Sequence, residues 1–149
     1  MVDVGEKPVT ARMARASGKV GMAVDTLKLI RDGGHAKGNV LEVARLAGIM
    51  GAKQTQQLIP LCHSLALDAV TIDFEFPDDR TLAIKATAKV EAKTGVEMEA
   101  LTAVSIASLT VYDMCKAVDR SMTISNIQLE EKSGGRSGHY RRSETQDAH

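Results

Sequence analysis

The chain has no tryptophan, and only two phenylalanines and two tyrosines in 149 residues. Nucleobases would find almost nothing to stack on, which argues against a single-strand-binding or RNA-binding surface. Charge of one sign is not in excess either, with 19 basic against 19 acidic side chains, so a broad phosphate-binding face is not expected. Cysteine is scarce: Cys62 and Cys115 lie far apart, with no CxxC pair and no spacing suited to zinc. Two reduced thiols fit better than a disulfide. No apolar run is long enough to cross a membrane, and "MVDVGEKPVT" lacks the apolar centre of a signal peptide. The expectation is a cytoplasmic protein without nucleic-acid or membrane partners, and at this length a single domain with one core.

What is present alternates between two periods. Residues 9–20 read weakly as a strand. "VDTLKLIRDGG" reads as a short helix, with Asp25 as a possible N-cap and Gly33–Gly34 as its stop. In "VLEVARLAGIMGAKQTQQLI" the apolar positions Val40, Val43, Ala47, Met50 and Leu58 recur at helical spacing until Pro60. The period then becomes two. Val70, Ile72, Phe74 and Phe76 alternate with polar residues, "PDDR" turns the chain, and Leu82, Ile84, Ala86, Ala88 and Val90 repeat the alternation. A helix follows over about 95–118, opened by a capping box of Thr94 and Glu97. "SMTISNIQLEE" is a last strand whose apolar phase slips between Ile124 and Ile127, the sign of a bulge near Asn126. Strand, helices, hairpin, helix, strand is the order of an α+β, ferredoxin-like split βαβ sandwich, an antiparallel sheet with helices on one face. The expected domain is 1–140, with 141–149 a mobile tail.

The 95–118 segment is apolar on two sides. Leu101, Val104, Ser108, Val111, Cys115 and Val118 form a face for the sheet; Thr102, Ile106 and Leu109 lie opposite, followed by Asp113 with Lys116 at the edge. Such a helix is covered on both sides, by the other long helix or by another subunit. Asp113 and Lys116 then have two readings. One is an i,i+3 ion pair at a helix end, common and weak. The other is an acid/base pair in a pocket, where partner and surroundings tune both groups. Cys62 and His63 sit in the connection "IPLCHSL", where packing roles are the simpler explanation. Lys37, in "GHAKGN", has an ordinary surface reading. "KSGGRSG" lacks the Walker spacing but offers backbone N–H groups and Arg136 to an anion. Glu97 and Glu99 suit the start of a helix. Glu99 also lies on the side of Asp113, about 21 Å away along a straight helix. If both touch one small substrate, the simplest solution takes them from different chains; an extended ligand lying along the helix is the alternative.

Together, "KGNVLEVARLAGIMGAKQTQQLIPLCHSL", "KTGVEMEALTAVSIASLTVYDMCKAV" and "KSGGRSG", preceded by "MVDV", closely resemble the cyclic pyranopterin monophosphate synthase family, the molybdenum cofactor biosynthesis protein C. The likeness runs from Met1 to about Tyr140. It implies a lyase converting (8S)-3′,8-cyclo-7,8-dihydroguanosine 5′-triphosphate into cyclic pyranopterin monophosphate with release of pyrophosphate, in molybdopterin biosynthesis. It also implies no redox cofactor, Mg²⁺ at most arriving with the triphosphate, and a homohexamer built as a trimer of dimers with sites between subunits. Carried over residue by residue, the catalytic set is Asp113, Lys116, Lys37 and His63. The substrate-binding set is Leu61, Cys62, His63, Met98, Glu99 and Lys132. On this reading the two lysines act as general acid/base and phosphate partners, Asp113 holds Lys116, and Glu99 takes the guanine-like edge. Ser64 stands where the family usually has proline, and Arg136 where lysine is frequent. The family's usual stretch ahead of "MVDV" is missing, so no lid role is carried over for an N-terminal arm. The rival readings are a non-catalytic nucleotide-binding regulatory module on the same fold and, more remotely, an RNA-binding module.

Overall fold

Strand β1 (Thr10–Gly21) shows why this chain packs so closely. Its helix-facing positions are Ala14, Ala16, Gly18 and Val20, and the alanines and Val20 are wholly buried. Small side chains there let a helix approach within contact of the sheet. The remaining elements of this computed structural model, which describes residues 1–143, are α1 (Val24–Asp32), α2 (Val40–Lys53), α3 (Thr55–Leu58), β2 (Ala69–Glu75), β3 (Thr81–Ala92), α4 (Glu97–Cys115), β4 (Thr123–Ser133) and β5 (Tyr140–Arg141).

The sheet runs β2-β3-β1-β4-β5, antiparallel at every neighbouring pair. The first four strands have the split βαβ order expected from the sequence. The hairpin pairs Ala69 with Lys89 through to Glu75 with Ala83, as its alternation requires. Asn126 takes a left-handed φ of 55°, and the β1–β4 register shifts across Ser17 and Lys19, so the expected bulge is there. Leu82, Ile84, Ala86, Ala88 and Val90 of β3 form the middle of the core beneath α4. Across the sheet, Arg15, Ser17, Lys19, Asp73, Glu75, Lys85 and Thr87 line an open polar face. Among the described residues no helix is long and apolar enough to cross a membrane.

Four local expectations are corrected. The long second helix is broken at Gln54 into α2 and α3. Asp25 is not the cap of α1: Ala23 is, and the carboxylate serving that helix start belongs to the distant Asp119. Nor does Thr94 cap α4, whose N-cap is Val96 with no side-chain bond. Glu97 pairs with Lys132 of β4 at 3.0 Å, a charged partner displacing the reach back to an amide.

The fourth correction concerns which side of α2 is buried. Of its large periodic residues only Val40 is inside, while Val43 and Met50 are 42% and 57% exposed. The helix buries Ala44, Gly48, Gly51 and Ala52 against α4, because only small residues permit so close an approach. A Cβ on Gly48 would collide with Ile72 and lie 2.9 Å from the Ala103 carbonyl oxygen. Gly48→Ala is therefore expected to cost about 1–3 kcal/mol, read as a lower urea midpoint with unchanged slope. Thus α2 covers the Ile106 side of α4 through Gly51, and an apolar stripe of Val43, Leu46 and Met50 is left facing outwards.

Candidate active site

The C-terminal turn of α4 carries the first cluster. Lys116 Nζ donates to Asp113 Oδ1 at 2.7 Å, and the Lys116 N–H closes the last turn on the Tyr112 carbonyl. Lys37 arrives from the α1–α2 loop, its Nζ 3.4 Å from the Asp113 carbonyl oxygen. That loop is a tight one, with Gly38 at φ 103° and the Lys37 N–H donating to His35 Nδ1. The Lys116 bond and charge, with Lys37 adding to them, hold the Asp113 carboxyl below its ordinary range. The same bond to Asp113 raises the Lys116 ammonium above its own. Both members therefore stay ionised through neutrality, and Lys116 enters any reaction as a proton donor. Cys115, between them in sequence, turns inward, is wholly buried, and has its thiol pushed up to about 11. It packs.

The turn beyond is held by Asp119. One carboxylate oxygen accepts the Ala23 N–H at 2.9 Å and the Thr26 hydroxyl at 3.0 Å; the other accepts the Ser121 N–H and hydroxyl. These bonds keep its carboxyl below the ordinary range, the Ala23 N–H contributing most. They also pin the end of α4 to the start of α1. A lowered folded pKa stabilises the fold above the unfolded value, and that stability disappears as pH falls through the folded value. Asp119→Asn is expected to lower stability at pH 7 by about 2–3 kcal/mol and to flatten the loss on acidification, as measured by urea unfolding across pH 2–7.

The second cluster is at the other end of the same helix. Glu99 is 4% exposed, and burial raises its carboxyl above the usual range, its own backbone N–H opposing and Glu97 adding to the rise. Cys62, in the loop after α3, is close enough for the Glu99 charge to add to the burial that raises its thiol. Beside it His63 Nε2 lies 2.6 Å from the Val2 carbonyl oxygen, and Leu61 is 71% exposed. Met98 is half-buried on the first turn of α4. Lys132 bonds Glu97 at the rim of a cleft of about 530 Å³, lined by Lys7, Arg12, Gly95, Gly134, Gly135 and Arg136 among others.

The predicted site residues thus fall into two groups. Lys37, Asp113 and Lys116 converge at one end of α4, and Leu61, Cys62, His63, Met98, Glu99 and Lys132 gather round the other. About 21 Å of helix separates Glu99 from Asp113. Arg12 was missed from the sequence. Its Nε donates to the Ala92 carbonyl at 3.0 Å, and a Cβ on Gly135 would lie 3.0 Å from its Cζ. The available signal was its phase: it occupies the helix-facing side of β1, where every later residue of that phase is small or apolar. Among the described residues no three His, Cys, Asp or Glu side chains converge as a metal site would require.

Comparison with known proteins adds a second line of evidence. A family model described as the MoaC family matches residues 1–135. "Cyclic pyranopterin monophosphate synthase 3" of Mycobacterium bovis is 62% identical over 142 residues, 95% of this chain and 80% of that protein. "Cyclic pyranopterin monophosphate synthase 1" of Mycobacterium tuberculosis is 62% identical over 143 residues, 96% of this chain and 84% of the relative. The synthase of Desulfitobacterium hafniense is 57% identical over 140 residues, 94% and 86% of the two chains.

Proposed function

The chain belongs to the MoaC family, and we propose that it performs the reaction for which its relatives are named. It is a lyase of molybdenum cofactor biosynthesis that forms cyclic pyranopterin monophosphate. The substrate is the cyclic dihydroguanosine triphosphate, and pyrophosphate leaves. Relatives 57–62% identical over almost the whole chain make a non-catalytic regulatory module the poorer reading.

The observation that carries the mechanism is the convergence of two lysines from segments far apart in the chain on one residue: Lys116 Nζ meets the Asp113 carboxylate, Lys37 Nζ meets the Asp113 backbone carbonyl, and the carboxylate feels both charges. The reaction must protonate a C–N bond as it breaks, close a ring through a carbonyl-type intermediate, and let a hydroxyl attack the α-phosphorus. Lys116, kept protonated by Asp113, is the acid for the first step. Lys37, beside it and carrying no carboxylate bond among the described residues, serves the phosphate and the return of the proton. Charge accumulating on the departing pyrophosphate is met by cations, and Lys132, Arg136, Arg12 and Lys7 line the cleft that suits it. Glu99, buried on the first turn of α4, accepts the N–H donors of the guanine-like edge. His63 orients the ring or the triphosphate, with Leu61, Cys62 and Met98 as walls. No redox cofactor enters this scheme, and any Mg²⁺ would arrive on the triphosphate oxygens.

One chain cannot bring both clusters to one small molecule along 21 Å of helix. On this reading the site is shared, Glu99 from one subunit and Asp113 from another, in preference to an extended ligand lying along one helix. The outward stripe of Val43, Leu46 and Met50 favours association, in keeping with a hexamer built as a trimer of dimers. The test is formation of product and pyrophosphate from the cyclic dihydro-nucleotide. Absence of turnover by the intact oligomer would sink the function.

A further inference from the structure

The glycine-rich segment after β4 is more ordered than its composition suggests, and the reason lies beyond it. Tyr140 and Arg141 return to pair with Lys132 and Glu131, so residues 133–139 form the closed loop of a hairpin. Gly134, Gly135 and Gly138 all have left-handed φ, and the first two press on Ala11 and Arg12 of β1. Of the tail expected to be mobile from 141, the first residues are thus part of the sheet; 144–149 lie outside the described residues. The Arg142 N–H donates to the Glu130 carbonyl at 2.8 Å and its Nε to the Leu129 carbonyl at 2.9 Å. His139 Nε2 meets Glu131 Oε1 at 2.8 Å, while the other oxygen of Glu131 takes Arg15 Nη1 at 2.9 Å.

These attachments are few, and most of them are exposed. A two-residue strand is far too short to be stable alone. His139 and Arg15 are 54% and 44% exposed, so their bonds to Glu131 contribute little. A loop that must admit an anion and later release one needs this kind of closure. We propose that β5 is a latch: docked on β4 it holds the glycine-rich loop against Arg12 at the phosphate end of the cleft, and undocked it opens that end for substrate to enter and pyrophosphate to leave. His139 and Arg142 are positioning residues acting through the loop. The inference rests on the phosphate reading of the cleft given above.

The test compares wild type with the full-length double variant His139→Ala, Arg142→Ala. Amide hydrogen exchange at 134–138 should quicken about tenfold, since the His139–Glu131 bond and the Arg142 Nε–Leu129 bond are both lost. The dissociation constant for inorganic pyrophosphate, read by calorimetry, should rise by a similar factor, and KM for the nucleotide with it. The first-order turnover should stay within about twofold and the thermal midpoint should not move, because nothing in the core is touched. Unchanged loop exchange, or unchanged pyrophosphate affinity where wild type binds it, overturns the latch alone. Wild type that fails to bind pyrophosphate while turning over overturns the phosphate reading of this cleft, and the latch with it.

Discussion

Lys116→Ala is expected to lower first-order turnover by about a hundred- to ten-thousand-fold while leaving the thermal midpoint nearly unchanged. The second half of that statement follows from exposure. The Lys116 and Asp113 side chains are 53% and 61% exposed, and an ion pair in that setting adds little to folding. A large kinetic loss with no structural loss therefore separates a catalytic pair from the helix-ending pair that local pattern alone would suggest. Lys116→Arg refines the result. It keeps the positive charge but cannot release its proton at accessible pH, so phosphate binding should survive and proton transfer should not. The pH profile gives a further check. Asp113 raises the Lys116 pKa, so activity requiring the ammonium persists above the ordinary lysine range in wild type. In Asp113→Asn that support is removed, and the basic limb should move to lower pH.

The second large effect is a recovery. Glu99→Ala and Asp113→Ala preparations should each be nearly inactive. After subunit exchange, a mixed interface contains one intact Glu99–Asp113 combination and one doubly defective combination. Random mixing should then restore about a quarter of wild-type activity, since half the interfaces are mixed and half of their sites are whole. No recovery, with exchange demonstrated by mass spectrometry, would mean that the two clusters do not serve one shared site. An extended ligand lying along a single α4 would then be the surviving geometry.

Legibility from sequence differed between fold and site for physical reasons. The hairpin of β2 and β3 could be read because one buried and one open face impose strict alternation. The bulge at Asn126 showed itself as a phase slip. The burial of α2 could not be read. Hydrophobicity pointed to its large residues, whereas close approach to α4 selected its alanines and glycines and turned Val43 and Met50 outward. The caps failed similarly, because Asp119 and Lys132 reach α1 and Glu97 across 93 and 35 residues of chain, respectively.

By itself, then, the sequence determined the class of fold, the order of its strands and, through three motifs, the family. Periodicity and motif are local, and local information survives in a linear string. Only the tertiary structure decided that Lys37 meets Asp113, that Glu99 is buried at the far end of the same helix, and that a nominal tail closes the glycine-rich loop. Each of these depends on a distance between segments far apart in the chain, and such distances are fixed by packing. Lys37 is an ordinary surface lysine on a glycine loop until α1 and α4, tied together at Asp119, bring it to the Asp113 carbonyl at the end of α4.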